Sequence, residues 1–174
     1  NTIDNTGNDI NRLNSIQTET NIKNSYYNLV LDDIIEKFFI NLIKQNENLK
    51  SKEKDNYQIG DRNDKDIIIG LGSGSTVALL VEKIAKLEGK EVFGFIPTSY
   101  QIKILAEQCG LRFLDDSRIN EIDLVIDGAD QIDEKLNMIK GGGGALFKEK
   151  ILMYSAKQKV ILADSQKFVS TFSL

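Results

Sequence analysis

Asp127 and Asp130, in Asp127-Gly128-Ala129-Asp130, and Lys140, at the head of Lys140-Gly141-Gly142-Gly143-Gly144, are residue types that could do chemistry, the acids with protons and the lysine with an anion. The acids directly follow the apolar run IDLVI. Two carboxylates at the end of a strand can hydrogen-bond hydroxyls or shuttle protons. The same spacing also suits a plain turn, with Asp130 capping the QIDEKL segment that follows. Consecutive glycines carry a high conformational cost, which a purely structural turn explains poorly. A lysine beside exposed backbone N–H groups instead suits an anion or oxyanion.

A third loop, Gly70-Leu71-Gly72-Ser73-Gly74-Ser75-Thr76, ends an apolar run and opens a helical segment. Its glycines admit a ligand close to the backbone, and its hydroxyls and helix N-terminal N–H groups suit phosphate. It is not a dinucleotide fingerprint, because Ser75 stands where the third glycine belongs, and it lacks the P-loop lysine. A tight strand-to-helix turn with Ser75 or Thr76 as N-cap is the competing explanation. Further on, Glu149 has Ala145, Leu146, Leu152 and Met153 at i±3 and i±4, a setting that would desolvate a carboxylate. Its neighbours Lys148 and Lys150 see equally apolar surroundings, so periodicity does not single out Glu149. A solvated Lys-Glu-Lys face explains the pattern as well.

The elements that must position these residues alternate in type. Strands are expected at 67–72, 91–96, near 111–113, at 122–127 and at 159–164. Helices are expected at 75–87, 99–109 and 144–156. Strands that read as continuous apolar runs joined by helices indicate a parallel sheet covered on both faces. The expected fold class is therefore a doubly wound, Rossmann-like α/β domain over 25–174, with its site beyond the carboxyl ends of the strands. Tyr26 to Ile43 has helical spacing, with Leu29, Leu31, Ile34, Ile35, Phe38, Phe39 and Leu42 on its apolar side. Residues 1–24 are Asn-rich and aperiodic, as in a poorly ordered extension, and 45–65 reads as a long polar loop.

Composition narrows the function classes. A length of 174 residues suits one domain, and 41% hydrophobic residues suffice for a core. The net charge of −4 gives no basic footprint for nucleic acid. With no histidine, imidazole catalysis and histidine metal sites fall away, leaving Asp, Glu, Lys or Tyr as acids and bases. The single cysteine, Cys109, excludes an intrachain disulfide framework. No run approaches a membrane span and no secretory signal is visible, so the expected location is cytoplasmic. The first residue is Asn1, not Met, as in a chain whose native start lies upstream.

The segments GLGSGST, PTSYQ (97–101), DLVIDGADQID (123–133), IKGGGGALFKEKI (139–151) and ILADSQK (161–167) occur in one order. In these segments the chain resembles the ribose-5-phosphate isomerase A family, over about residues 67–167. DGAD followed ten residues later by KGGGGAL is the most specific part. The resemblance implies an aldose–ketose isomerase of the pentose phosphate pathway. It would use an enediolate mechanism with no metal and no cofactor. Glu149 falls on the family's base, which moves a proton between C2 and C1 of the open-chain sugar. Asp127 and Asp130 fall on the acids that handle hydroxyl protons and help open the ring, and Lys140 on the cation facing the developing oxyanion. Ser73, Gly74, Ser75, Thr76 and Lys167 match positions that contact substrate, with Ser75, Thr76 and Lys167 assigned chiefly to phosphate. Gly128, Ala129, Gly141, Gly142 and Gly143 complete the implied binding residues.

The implied partner is a small sugar phosphate, with no nucleic acid and no membrane. The family also implies a homo-oligomer, dimer or tetramer, and a further small α+β lobe beyond the point where this sequence ends. A phosphate-contacting lysine near the start of the first helix has only Lys37 as a counterpart here. From another functional class, a non-catalytic phosphosugar-sensing domain of the same fold would need the phosphate loop but no base. The complete set of Asp127, Asp130, Lys140 and Glu149 favours the enzyme.

Overall fold

Short apolar runs form the centre of the molecule, and the polar segments between them return the chain to the same edge each time. The structure is a computed structural model that describes residues 32–45 and 66–173. In chain order it contains β1 (Ile67–Leu71), α1 (Ser75–Ile84), β2 (Phe93–Pro97), α2 (Tyr100–Gln108) and β3 (Leu124–Gly128). A two-stranded hairpin, β4 (Gln131–Ile132) and β5 (Met138–Ile139), precedes α3 (Leu146–Ser155) and β6 (Gln158–Leu162). The main sheet has the order β2-β1-β3-β6 and is parallel throughout. β1, β2 and β3 bury both faces, as their apolar runs require, while edge strand β6 begins with exposed Gln158 and Lys159. Ile69, Leu71, Phe95 and Ile126 face a core shared with α1, α2 and the N-terminal helix. Ile68, Ile96 and Val125 pack instead with Leu152 and Ala156 around α3. The fold is α/β and doubly wound, as the alternation of elements required.

β1 lies inside the sheet, with the next two main-sheet strands of the chain on either side of it. The chain therefore reverses its winding direction between β1 and β3. In open α/β sheets the crevice at such a reversal is where ligands bind. The loops after β1 and β3 are Gly72–Thr76 and the Asp127 segment.

The elements differ from expectation in instructive places. Lys90–Val92 is a 3-10 turn that follows Gly89, so β2 starts at Phe93 instead of residue 91. The strand near 111–113 reduces to a single parallel bridge between Phe95 and Phe113. β3 begins at Leu124 because Asp123 substitutes its carboxylate for a ladder acceptor. The Ile68 amide donates to Asp123 Oδ2 at 2.9 Å, and the Asp123 amide donates back to the Ile68 carbonyl. Residues 32–45 are helical, with a π turn over Ile35–Ile40 that seats Phe39 in the core, edge-on to Phe93 at 5.3 Å. The rest of that helix's expected range, the Asn-rich extension and 46–65 lie outside the described residues. Among the described residues no helix is long and apolar enough to cross a membrane.

One close approach fixes the two central loops to each other. The Gly72 amide donates to the Ile126 carbonyl at 2.8 Å, which lays the backbone after β1 against the end of β3. A Cβ at residue 72 would lie 2.0 Å from Asp127 Oδ1. Glycine is required here by lack of space. Gly72→Ala must displace Asp127 or part the strands, and overpacking of this kind costs about 1–3 kcal/mol or more. A lowered midpoint in urea denaturation is the expected result. An unchanged midpoint would show that the two loops separate freely.

Candidate active site

Asp127, Glu149 and Lys140 reach one pocket from separate elements. β3 carries Asp127 at its carboxyl end, 1% exposed, with Oδ1 accepting from the Gly128 amide at 2.7 Å and the Ser73 amide at 3.3 Å. α3 carries Glu149 in its first turn, 2% exposed. Between them stands the Lys140 ammonium, 2.7 Å from Asp127 Oδ2 and 3.4 Å from Glu149 Oε2. Lys140 also donates to the Gly128 carbonyl. The other Glu149 oxygen, Oε1, accepts from the Ser73 hydroxyl at 2.5 Å.

The glycine loop places Lys140 over this pair. Gly141 has φ 94°, and a Cβ there would lie 2.6 Å from that of Leu146. Only glycine lets the chain turn this tightly into α3. The Gly142 amide donates to Asp130 Oδ2 at 2.8 Å, tying the loop to the acid after β3. Asp130 thus holds the glycine loop and does not cap QIDEKL. That segment is the β4–β5 hairpin, and Asp133 organises its turn by accepting from the Lys135 and Asn137 amides.

The phosphate-type loop is equally open to a ligand. The N-cap of α1 is Gly74, with no side-chain cap, so neither Ser75 nor Thr76 is consumed in capping. The first-turn amides form the positive start of the helix dipole, where anions are favoured, and the two hydroxyls stand beside them. Ser73, Gly74, Ser75, Thr76, Asp127, Gly128, Ala129, Asp130, Lys140, Gly141, Gly142, Gly143, Glu149 and Lys167 all line one pocket of about 180 Å³. Every site residue expected from the sequence is therefore in it. Lys167 closes the 3-10 turn Ser165–Lys167 after β6, with its side chain exposed.

The ambiguity in Lys-Glu-Lys is settled by the rotation of α3. Lys148 points to Asp116 at 2.8 Å and Lys150 is exposed, while Glu149 alone turns inward. Lys37 does not enter the pocket lining; it is exposed and pairs with Asp33 at 2.9 Å. The pocket wall also contains Leu162, Ala163 and Asp164, which were not among the expected site residues although they lie in the ILADSQK segment. Their position at and just beyond the end of β6 was a further signal, since sites lie at the strands' carboxyl ends.

The likeness to known proteins includes the segments that carry Asp127, Lys140, Glu149 and Lys167. The family model for ribose 5-phosphate isomerase A (phosphoriboisomerase A) matches residues 94–173. A ribose-5-phosphate isomerase of Debaryomyces hansenii is 42% identical over 120 residues, which are 68% of this chain and 48% of the relative. The ribose-5-phosphate isomerase A of Chlamydia felis is 45% identical over 105 residues, 59% of this chain and 45% of its own. The resemblance to ribose 5-phosphate isomerase A holds. Among solved structures, a D-ribose-5-phosphate isomerase in complex with phospho-erythronic acid shares 41% identity at a TM-score of 0.56. That likeness covers 60% of this chain and 47% of the other. The Plasmodium falciparum ribose 5-phosphate isomerase shares 34% identity at a TM-score of 0.56, over 74% of this chain and 53% of that one. The chain spans about half the length of these isomerases.

Burial raises the pKa of Asp127, opposed by the hydrogen bond and charge of Lys140, and the Glu149 charge adds to the rise. A carboxyl raised on folding binds its proton more tightly in the folded state. Its contribution to stability is fullest below the ordinary aspartate pKa and is lost as pH climbs through the folded value. Lys140→Met removes the principal opposing influence, so Asp127 should titrate at higher pH still and the loss of stability should extend with it. Carbon-13 NMR titration of the Asp127 carboxyl reads this directly. A variant titrating at or below the wild-type value would show that Lys140 is not its controlling partner.

Proposed function

We propose that this chain carries the catalytic centre of a ribose-5-phosphate isomerase, interconverting D-ribose 5-phosphate and D-ribulose 5-phosphate in the non-oxidative pentose phosphate pathway. The observation that carries the proposal is the buried Glu149 carboxylate, held by Ser73 and Lys140 at the wall of a pocket whose other side is an open helix N-terminus. The phospho-erythronic acid complex of a similar isomerase supports a phosphorylated, acyclic ligand of this size.

Glu149 takes the proton from C2 of the open-chain aldose, and the electrons pass into the C1 carbonyl to give an enediolate. Lys140 stabilises the negative charge that collects on oxygen. Asp127 and Asp130 move the hydroxyl protons that ring opening and the O2-to-O1 transfer require. Glu149 then returns its proton to C1, completing the ketose. Ser75, Thr76 and Lys167 hold the phosphate, whose remote binding energy is used to orient the reacting carbons. Glutamate as base and lysine as electrophile make the sequence of steps metal-independent in this scheme. A cytoplasmic location and a homo-oligomeric full-length protein accompany the proposal.

Two experiments on the full-length protein test it. Glu149→Gln keeps size and hydrogen bonding but loses the proton acceptor, so binding should persist while turnover falls by at least about 10²–10⁴. Solvent deuterium should then cease to enter the sugar at the reacting carbon. A Gln variant isomerising at the wild-type rate moves the base elsewhere, and wild-type binding without turnover would favour a sensor. Lys167→Ala should weaken ribose 5-phosphate binding roughly tenfold, the equivalent of about 1.5 kcal/mol for a charge-assisted bond, and leave free ribose nearly unaffected. Equal losses for both ligands would place Lys167 away from the phosphate.

A further inference from the structure

The glycine-rich loop after β1 does two different things within four residues. Ser75 and Thr76 stand at the start of α1 with their hydroxyls unused for capping. Ser73 is committed elsewhere. Its hydroxyl donates to Glu149 Oε1 at 2.5 Å, and its amide reaches Asp127 Oδ1 at 3.3 Å. The residue before it is tied down, since the Gly72 amide donates to the Ile126 carbonyl at 2.8 Å. The residue after it, Gly74, has φ 90° and open space where a Cβ would stand. The loop is thus rigid up to Ser73 and turns away immediately beyond it.

Resting on the isomerase proposal, we infer that Ser73 is a positioning residue for the Glu149 base and not a contact of the phosphate. A carboxylate base must present one oxygen to the C–H bond in a fixed direction. Glu149 is held at both ends: Ser73 occupies Oε1, and Lys140 approaches Oε2 at 3.4 Å, a looser contact that a substrate oxygen can share. Ser73 has a single hydroxyl proton, and donating it to Oε1 leaves Oε2 as the oxygen that meets the sugar. Removing the hydroxyl frees the carboxylate to rotate, and misplacement by even an ångström is costly in proton transfer. Nothing in this arrangement requires a phosphate.

The test on the full-length protein separates orientation of the base from binding of the anion. Ser73→Ala should lower kcat for ribose 5-phosphate by about tenfold or more, within the roughly 10²-fold that an ångström of misplacement can cost. The inhibition constant of inorganic phosphate, used as the probe of the anion site, should stay within about twofold of wild type. Ser73→Thr keeps the hydroxyl and should retain most of kcat. If alanine at 73 fails to fold, Ser73→Cys keeps the shape with a weak donor and should show the same loss as Ala. An unchanged kcat in the Ala or Cys variant overturns the inference. So does phosphate inhibition weakened as much as kcat is lowered, which would make Ser73 an anion contact. Wild-type protein that does not isomerise ribose 5-phosphate would instead remove the underlying activity, a separate and recognisable failure.

Discussion

The arrangement depends on one ammonium group set between two buried carboxylates. Asp127 and Glu149 are both almost fully removed from water, and two bare negative charges at that depth would repel and desolvate at great cost. Lys140 offsets that cost for both acids. The β4–β5 hairpin brings the chain back from Asp130 to Lys140, and the Asp130 amide donates to the Ile139 carbonyl at 2.9 Å to close it. Gly141 turns the chain sharply afterwards, and the Asp130 carboxylate anchors Gly142. Each of these features delivers the cation to a place where the sheet and α3 have put acids. Buried, mutually paired charges of this kind concentrate at functional sites, which fits the proposed chemistry.

Much of this was legible in the residues alone, and the reasons differ from place to place. The parallel sheet followed from the apolar runs at 67–72, 91–96, 122–127 and 159–164, continuous and joined by helical segments. The pocket followed from the loops after the strands, because the winding rule applies wherever the chain reverses direction. Glu149 was different. Its apolar neighbours at i±3 and i±4 are shared by Lys148 and Lys150, so rotation about the helix axis decided which of the three turned inward. That rotation is fixed by Leu152 and Ala156 packing under the sheet, a tertiary fact. The resemblance named Glu149 where periodicity did not.

The misses have physical causes as well. The strand expected near 111–113 lost its ladder because Phe113 meets Phe95 alone at the sheet's edge. The start of β3 moved because Asp123 replaced a backbone acceptor with its own carboxylate, which no propensity scale anticipates. Ser75 and Thr76 are typical N-cap residues, yet Gly74 takes that position and the hydroxyls are left for other use. Asp130, for which capping of QIDEKL was the competing explanation, anchors the glycine loop instead, and Asp133 organises the hairpin turn.

The close fit of Gly72 against Asp127 has a consequence for how such a protein can vary through descent. The space a side chain would need at position 72 is already filled by the acid at 127. Position 72 cannot gain a side chain while residue 127 stays where it is. The Cβ of residue 127 would itself lie 2.5 Å from a new Cβ at 72, so trimming the carboxylate alone makes too little room and the two strand ends must also part. A descendant bearing a side chain at 72 should therefore show a shifted backbone at 127, whatever residue stands there.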